Sequence, residues 1–242
     1  MNEKSMSQLG MISLKQLSLM LIPISVMVLI FFRMGLDWKN LIYASIRMIS
    51  QLIIVGFALN IIFAANHFGT SILIFSFMLV AAAWIASRTH KKRTQQFPKM
   101  IVSLLCGSTP TLLIVLVFVM PNDSWYQASY FIPLAGMTLA NAMNALALAS
   151  DRLYSELDNT NSLDDPFTKS LETALIPTIN SFLAVGLVSL PGMMTGQILS
   201  GVSPLIAVRY QIMIMAMVLG AAGLSTAVYL FLEKKNLASK MK

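Results

Sequence analysis

Charged side chains in this chain are confined to a few short breaks between apolar runs of about twenty residues, and the breaks differ in how much Lys and Arg they carry. A bilayer core of about 30 Å needs roughly 20 helical residues at 1.5 Å each. Runs of that length recur at 13–32, 41–65, 70–87, 100–120, 126–150, 173–190 and 204–232. The pattern predicts an all-α, polytopic membrane protein of about seven transmembrane helices, forming a single transmembrane domain over residues 1–242. Only 11% of residues are charged and 57% are hydrophobic, which no ordinary soluble domain of this length shows.

The breaks also predict orientation. With the N-terminus outside, the inner side receives fourteen of the seventeen Lys and Arg residues, among them Arg33, Lys39, Arg88, Lys91, Lys92, Arg93, Lys99, Arg152, Lys169 and Lys234. Two, Lys4 and Lys15, stay outside, and Arg209 lies within the last run. Lys and Arg are retained on the cytoplasmic side, so the bias predicts an N-out, C-in chain. The net charge of +7 therefore reads as topology and not as a nucleic-acid surface, because the basic residues form no stripe with interleaved aromatics. The first run ends Phe31, Phe32, Arg33 with no small-residue cleavage site, so it is expected to remain as a spanning helix.

Two segments depart from the pattern. Residues 151–172 form the one long polar break, acidic through Asp151, Glu156, Asp158, Asp164, Asp165 and Glu172, and read as a short cytoplasmic loop. From Thr173 to Val208 no charge appears, yet a continuous helix there would be about 54 Å long, so something must interrupt it. Pro191, Gly192, Gly196, Gly201 and Pro204 place that interruption at 190–201. Irregular backbone at membrane depth is tolerated where it lines a cavity or is buried in protein, which makes 190–201 a candidate gate or an outer loop.

The chemistry expected of an enzyme is missing from the sequence. There is no phosphate-binding Gly-x-x-x-x-Gly-Lys-Ser/Thr loop, no His-Glu-x-x-His, and no Gly-x-Ser-x-Gly elbow. Cys106 is the sole cysteine and reads as a small buried apolar residue. What remains are polar groups inside apolar runs: Arg47 and Gln51 one turn apart, Asn141 and Asn144 on one face, Asn180, Gln197, Arg209 and Gln211. Such groups mark helix contacts or a pathway. Met193 and Met194 add adjacent thioethers in the predicted break, where sulfur suits soft ions; the Gly192-x-x-x-Gly196 spacing around them also suits a close helix contact.

Several strings resemble the FetB-type family of ABC transporter permeases. They are Ser-Ile-Arg-Met-Ile-Ser-Gln-Leu-Ile-Ile-Val-Gly from Ser45 to Gly56, Ile-Pro-Leu-Ala-Gly-Met from Ile132 to Met137, and Ala-Leu-Ile-Pro-Thr-Ile-Asn from Ala174 to Asn180. The most specific is Val-Gly-Leu-Val-Ser-Leu-Pro-Gly-Met-Met-Thr-Gly-Gln from Val185 to Gln197, followed by Tyr210-Gln211-Ile212-Met213. The resemblance implies a bacterial inner-membrane permease, associated with iron export, that works as a homodimer with a separate ATP-binding subunit using ATP and Mg, and that binds no cofactor itself. Its plant relatives are linked to aluminium tolerance. In this chain residues 151–172 are shorter than the family's cytoplasmic segment and contain no Leu-Gly-Ala.

The expected pathway or gate residues are Arg47, Gln51, Asn141, Asn180, Met193 and Met194. Arg88, Lys91, Lys92, Arg93 and Glu172 are expected to engage the ATPase. The alternative is a nucleotide-independent secondary transporter or channel. An ion-coupled carrier is expected to bury a carboxylate, and no Asp or Glu falls inside the predicted runs. A non-transporting scaffold is a third reading, should the short 151–172 segment fail to hold an ATPase.

Overall fold

The computed structural model describes residues 12–65, 68–89, 93–120, 126–158 and 164–240. Within them the chain is helical with no β-strand, and it divides into two units, residues 1–65 and 66–242. Six helical stretches are long and apolar enough to cross a bilayer, as expected of a polytopic all-α membrane protein.

The first unit contains α1 (Leu14–Ser18), α2 (Leu21–Arg33) and α3 (Trp38–Ala65). Ser13 and Gln16 form a reciprocal capping box at the start of α1. The turn between α2 and α3 needs Gly35, whose φ of 70° suits a residue without Cβ, and the Leu36 amide closes it onto the Phe31 carbonyl at 2.9 Å. Asp37 then accepts the Asn40 amide at 3.0 Å, and Phe32 meets Trp38 edge-on at 6.0 Å. The side chains of α2 are apolar around its whole circumference, which suits a helix whose solvent is lipid.

The second unit is built on α4 (Phe68–Ala86), α5 (Arg93–Ile114), α6 (Ala128–Leu157), α7 (Asp164–Ala184), α8 (Gly192–Leu199) and α9 (Pro204–Lys240). A π-helical turn, Val115–Val119, continues α5. Small residues set how closely these helices approach. Ala135, Ala142, Ala145 and Ala149 of α6 are buried, as are Ala82, Ala83 and Ala86 of the neighbouring α4. The tightest seam joins α5 to α9. A Cβ on Gly107 would lie 2.6 Å from the Ser225 Cα, and one on Gly220 would lie 3.0 Å from Thr111. Lipid tails are as apolar as Leu, so helices in a bilayer associate through such close packing and not through release of water.

Three expectations are corrected here. The Gly192-x-x-x-Gly196 pair makes no close contact, because nothing lies within 4 Å of a Cβ at either position. Cys106 is exposed, on the outward side of α5. The acidic stretch 151–172 is mostly helix. α6 continues to Leu157 and α7 begins at Asp164, since the charges pair at helical spacing: Arg152 with Glu156 at 2.7 Å and Asp165 with Lys169 at 2.6 Å. The Asp165 carboxylate raises the Lys169 ammonium above its ordinary range, and Lys169 also reaches Glu156 at 3.4 Å, tying α7 to α6.

The long uncharged run is broken earlier than expected. α7 ends at Ala184, and Val185–Ser189 folds into a tight turn closed by the Gly186 amide on the Ser189 carbonyl at 3.0 Å, with Gly186 at φ 81°. Pro191 caps α8, and Gly201, at φ 89°, ends it in a Schellman motif with Val202 bonded back to Gln197 at 3.0 Å. Pro204 then opens α9, where its missing N–H costs nothing. α7 lies antiparallel along α9. Near its start Phe167 sits 5.9 Å under the Lys234 ammonium, and at its end Phe182 and Val185 share a cavity with Gln211 and Ile212. Its first third is too polar for hydrocarbon, but that third lies beside the polar end of α9.

Candidate functional site

Around the α7–α8 break the helices leave space. A cavity of about 400 Å³ is walled by Phe182 of α7, Val185 and Leu190 of the turn, Met194 of α8, and Gln211 and Met215 of α9. A second, of about 170 Å³, lies among α6, α7 and α9, where Met137, Asn141, Thr178 and Ser181 meet Met215. Met215 lines both, so the two succeed one another along α9. A third cavity, of about 390 Å³, is bounded by Val119 and Met120 after the π-helical turn and by Arg209, Tyr210 and Met213. The π-helical turn shifts the register of the chain by one residue beside this space.

Of the residues expected on a pathway, Asn141 and Met194 line these adjoining cavities. The Asn141 amide nitrogen donates to the Met137 carbonyl of its own helix at 2.8 Å. Asn180 is exposed on α7, and Met193 is 37% exposed; neither is among the residues lining these three cavities. Arg47, half-buried, and Gln51, exposed, lie one turn apart on α3 in the first unit. Gln211, in the sequence one of several polar groups in apolar runs, is 7% exposed and lines the largest of these three cavities.

Sequence reasoning missed a second polar centre, at the far end of α9 from the cavities. The Glu233 carboxylate is fully buried and ion-paired to the Lys99 ammonium of α5 at 2.7 Å. Its Oε1 accepts from the Tyr154 hydroxyl of α6 at 2.8 Å and from the Gln96 amide, and its Oε2 accepts from Asn236 at 3.2 Å. Gln96 also donates to the Tyr154 oxygen at 2.8 Å. The buried Tyr229 hydroxyl lies 2.9 Å from Ser150 Oγ and 3.3 Å from Gln96 Oε1. The network fastens α5, α6 and α9 at one level, and both carboxylate oxygens find donors, as burial of a charge requires. The last apolar run of the sequence ends at residue 232, but α9 continues to Lys240 and includes Glu233. The expectation that no carboxylate is buried in a spanning helix is therefore corrected.

Nearby, Arg93 stacks on Trp84, its guanidinium 3.5 Å from the ring centroid, and donates to the Trp84 carbonyl at 2.7 Å. Arg88 and Glu172 are exposed, on the 3-10 turn Ser87–Thr89 and on α7. Lys91 and Lys92 lie outside the described residues. Among the described residues no three His, Cys, Asp or Glu side chains converge as metal ligands.

A family model described as "Uncharacterised protein family (UPF0014)" matches the chain over residues 12–163 and 158–237. The two stretches meet at 158–163, the break between α6 and α7. A UPF0014 membrane protein of Synechocystis is 36% identical, covering 79% of this chain and 82% of that protein. The "Probable iron export permease protein FetB" of Escherichia coli is 31% identical over 91% of this chain and 89% of its own length. The Arabidopsis thaliana "Protein ALUMINUM SENSITIVE 3" is 32% identical over 79% of this chain and 75% of its own. No solved structure gives a significant match.

Proposed function

The chain belongs to the UPF0014 family of membrane proteins, and from that we propose that it is the membrane-spanning permease of an ABC transporter, exporting metal such as iron with ATP hydrolysed by a separate subunit. The observation that carries this reading is the near full-length similarity to a relative named as a probable iron export permease. The bacterial inner membrane is its proposed location, and a second copy its proposed partner. The arrangement of the helices supports a coupled mechanism. α5 opens at Arg93, after the connection that holds Arg88, and within two turns it reaches Glu233 through Gln96 and Lys99. Force on that connection would pass into α9, which lines the cavities. Arg47, Gln51, Asn180 and Met193 stay in the proposal as pathway residues, alongside Asn141 and Met194; Arg88, Lys91, Lys92, Arg93 and Glu172 stay as ATPase contacts.

The direct test is iron uptake into inverted vesicles carrying the chain and its nucleotide-binding subunit. Uptake is expected only with ATP and with both proteins present, and Met194→Ala is expected to slow it more than Met193→Ala. Uptake that persists without nucleotide would favour a secondary carrier, the reading that the buried Glu233 supports, since ion-coupled carriers enclose carboxylates. Against that reading, this carboxylate is already neutralised by Lys99 at 2.7 Å.

Seven crossings and an N-out, C-in orientation are part of the proposal. α7 is the crossing that composition alone undercounts, and its antiparallel course beside α9 supports counting it. Reporter fusions at residues 1 and 242 are expected to lie on opposite sides; reporters on one side would leave six crossings.

A further inference from the structure

We propose that the cavity between α7, the Val185–Ser189 turn, α8 and α9 is a binding site for an uncharged amphipathic organic molecule that carries one hydrogen-bonding group for Gln211. At about 400 Å³ the cavity lies within the size range of small-molecule sites. Its walls, including Phe182, Leu190, Met194, Val208 and Met215, are apolar, and none of the residues lining it is charged. Ordered water is held by several polar partners, which such walls do not supply. A metal ion shorn of its water has still less to bind there, because hard cations need carboxylate, carbonyl or water oxygens in number.

Gln211 is the exception on the wall. The residue is more than nine-tenths buried, and its amide is the one polar side chain lining the cavity. An amide that faces apolar walls leaves its donors and acceptor to whatever occupies the cavity. A lipid tail would match the apolar walls and leave that amide unmet. An uncharged ligand with a donor or acceptor at one end meets both demands. For a metal exporter the consequence is that cargo seated here travels inside an organic ligand shell and not as a bare ion. The inference stands on the cavity and needs no ATPase, so failure of the binding test and failure of the transport test are separable.

The test uses the full chain in phosphatidylcholine nanodiscs without nucleotide, and N-phenyl-1-naphthylamine, an uncharged fluorophore with one N–H, as probe. Saturable fluorescence above empty nanodiscs is expected, with the anionic analogue 8-anilinonaphthalene-1-sulfonate weaker by about ten-fold, since its charge finds no partner. Met215→Trp is expected to abolish binding by filling the cavity, whereas Phe77→Trp, 74% exposed on α4, is expected to leave it intact. Gln211→Leu, close to isosteric, is expected to weaken binding roughly five-fold, the size of one net hydrogen bond. No saturable signal, or equal loss in both tryptophan variants, would overturn the site. Binding indifferent to Gln211→Leu would overturn the amphipathic ligand and leave an acyl chain as the occupant.

Discussion

Alanine at position 107 is expected to destabilise the protein by about 3 kcal/mol, the upper part of the range for overpacking a close contact. The reason is what the new methyl group meets. Around Gly107 the nearest atoms are the backbone nitrogen, Cα and side-chain oxygen of Ser225, not the end of a flexible side chain, so α5 and α9 must separate. Separation is felt along the most extensive helix contact of the second unit, including the Ser108–Ser225 hydroxyl pair at 3.4 Å. Gly223→Ala on α9 is the control: nothing lies within 4 Å of its new Cβ, and helix propensity alone predicts a gain of up to about 1 kcal/mol. Reversible unfolding in mixed micelles measures both. Equal stability of the two variants would mean that the seam does not hold the bundle together.

Lys99→Met is expected to cost about 3 kcal/mol, because it strands the fully buried Glu233 without its counter-ion. Glu233→Gln is expected to cost less, about 1 kcal/mol, since an amide keeps an acceptor for Tyr154 and the partly exposed Lys99 can turn toward water. The double variant is expected to recover most of the Lys99→Met loss, because the unpaired charge is gone. Strict additivity in this cycle would show that the two groups are not coupled. In vesicles, both single variants should also reduce nucleotide-driven uptake, as the network is the tie between the basic connection and α9.

The sequence made the spans legible because lipid imposes so simple a rule: a residue exposed to hydrocarbon must be apolar for about twenty positions. That rule locates α3 and α4 within three residues at each end, whereas α5 begins seven residues before its apolar run, α6 ends seven after, and α9 ends eight after. It fails where protein covers the helix. Asp164–Glu172 looks like a loop by composition but is helical, since Asp165, Lys169 and Glu156 pair with one another. Glu233 looks like the start of a tail, because a single sequence does not reveal that Gln96, Lys99 and Tyr154 arrive from α5 and α6 to enclose it. The glycines mislead for a related reason. Gly192 and Gly196 match a contact motif and touch nothing, whereas Gly107, with no such spacing, meets another backbone. Of the candidate pathway residues, Asn141 and Met194 line the cavities described above, and Asn180 lines none of those three, although all three are polar or polarisable groups in apolar surroundings. Which side of a helix looks inward was not written in their spacing.

α9 has 37 residues, about 55 Å of continuous helix, and a bilayer core uses only some 30 Å of it. Gly107 grips it at Ser225, leaving about 31 Å on the cavity side and about 22 Å on the other. If α9 turns at that seam it acts as a lever, with the Glu233 network that ties it to α5 and α6 on the short arm. A sideways push of 4 Å at the Lys240 tip, small for a docking protein, swings the Pro204 end by about 6 Å the opposite way if the helix stays straight. In that motion one end closes while the other opens, and the seam at Gly107 and Gly220 is the fulcrum.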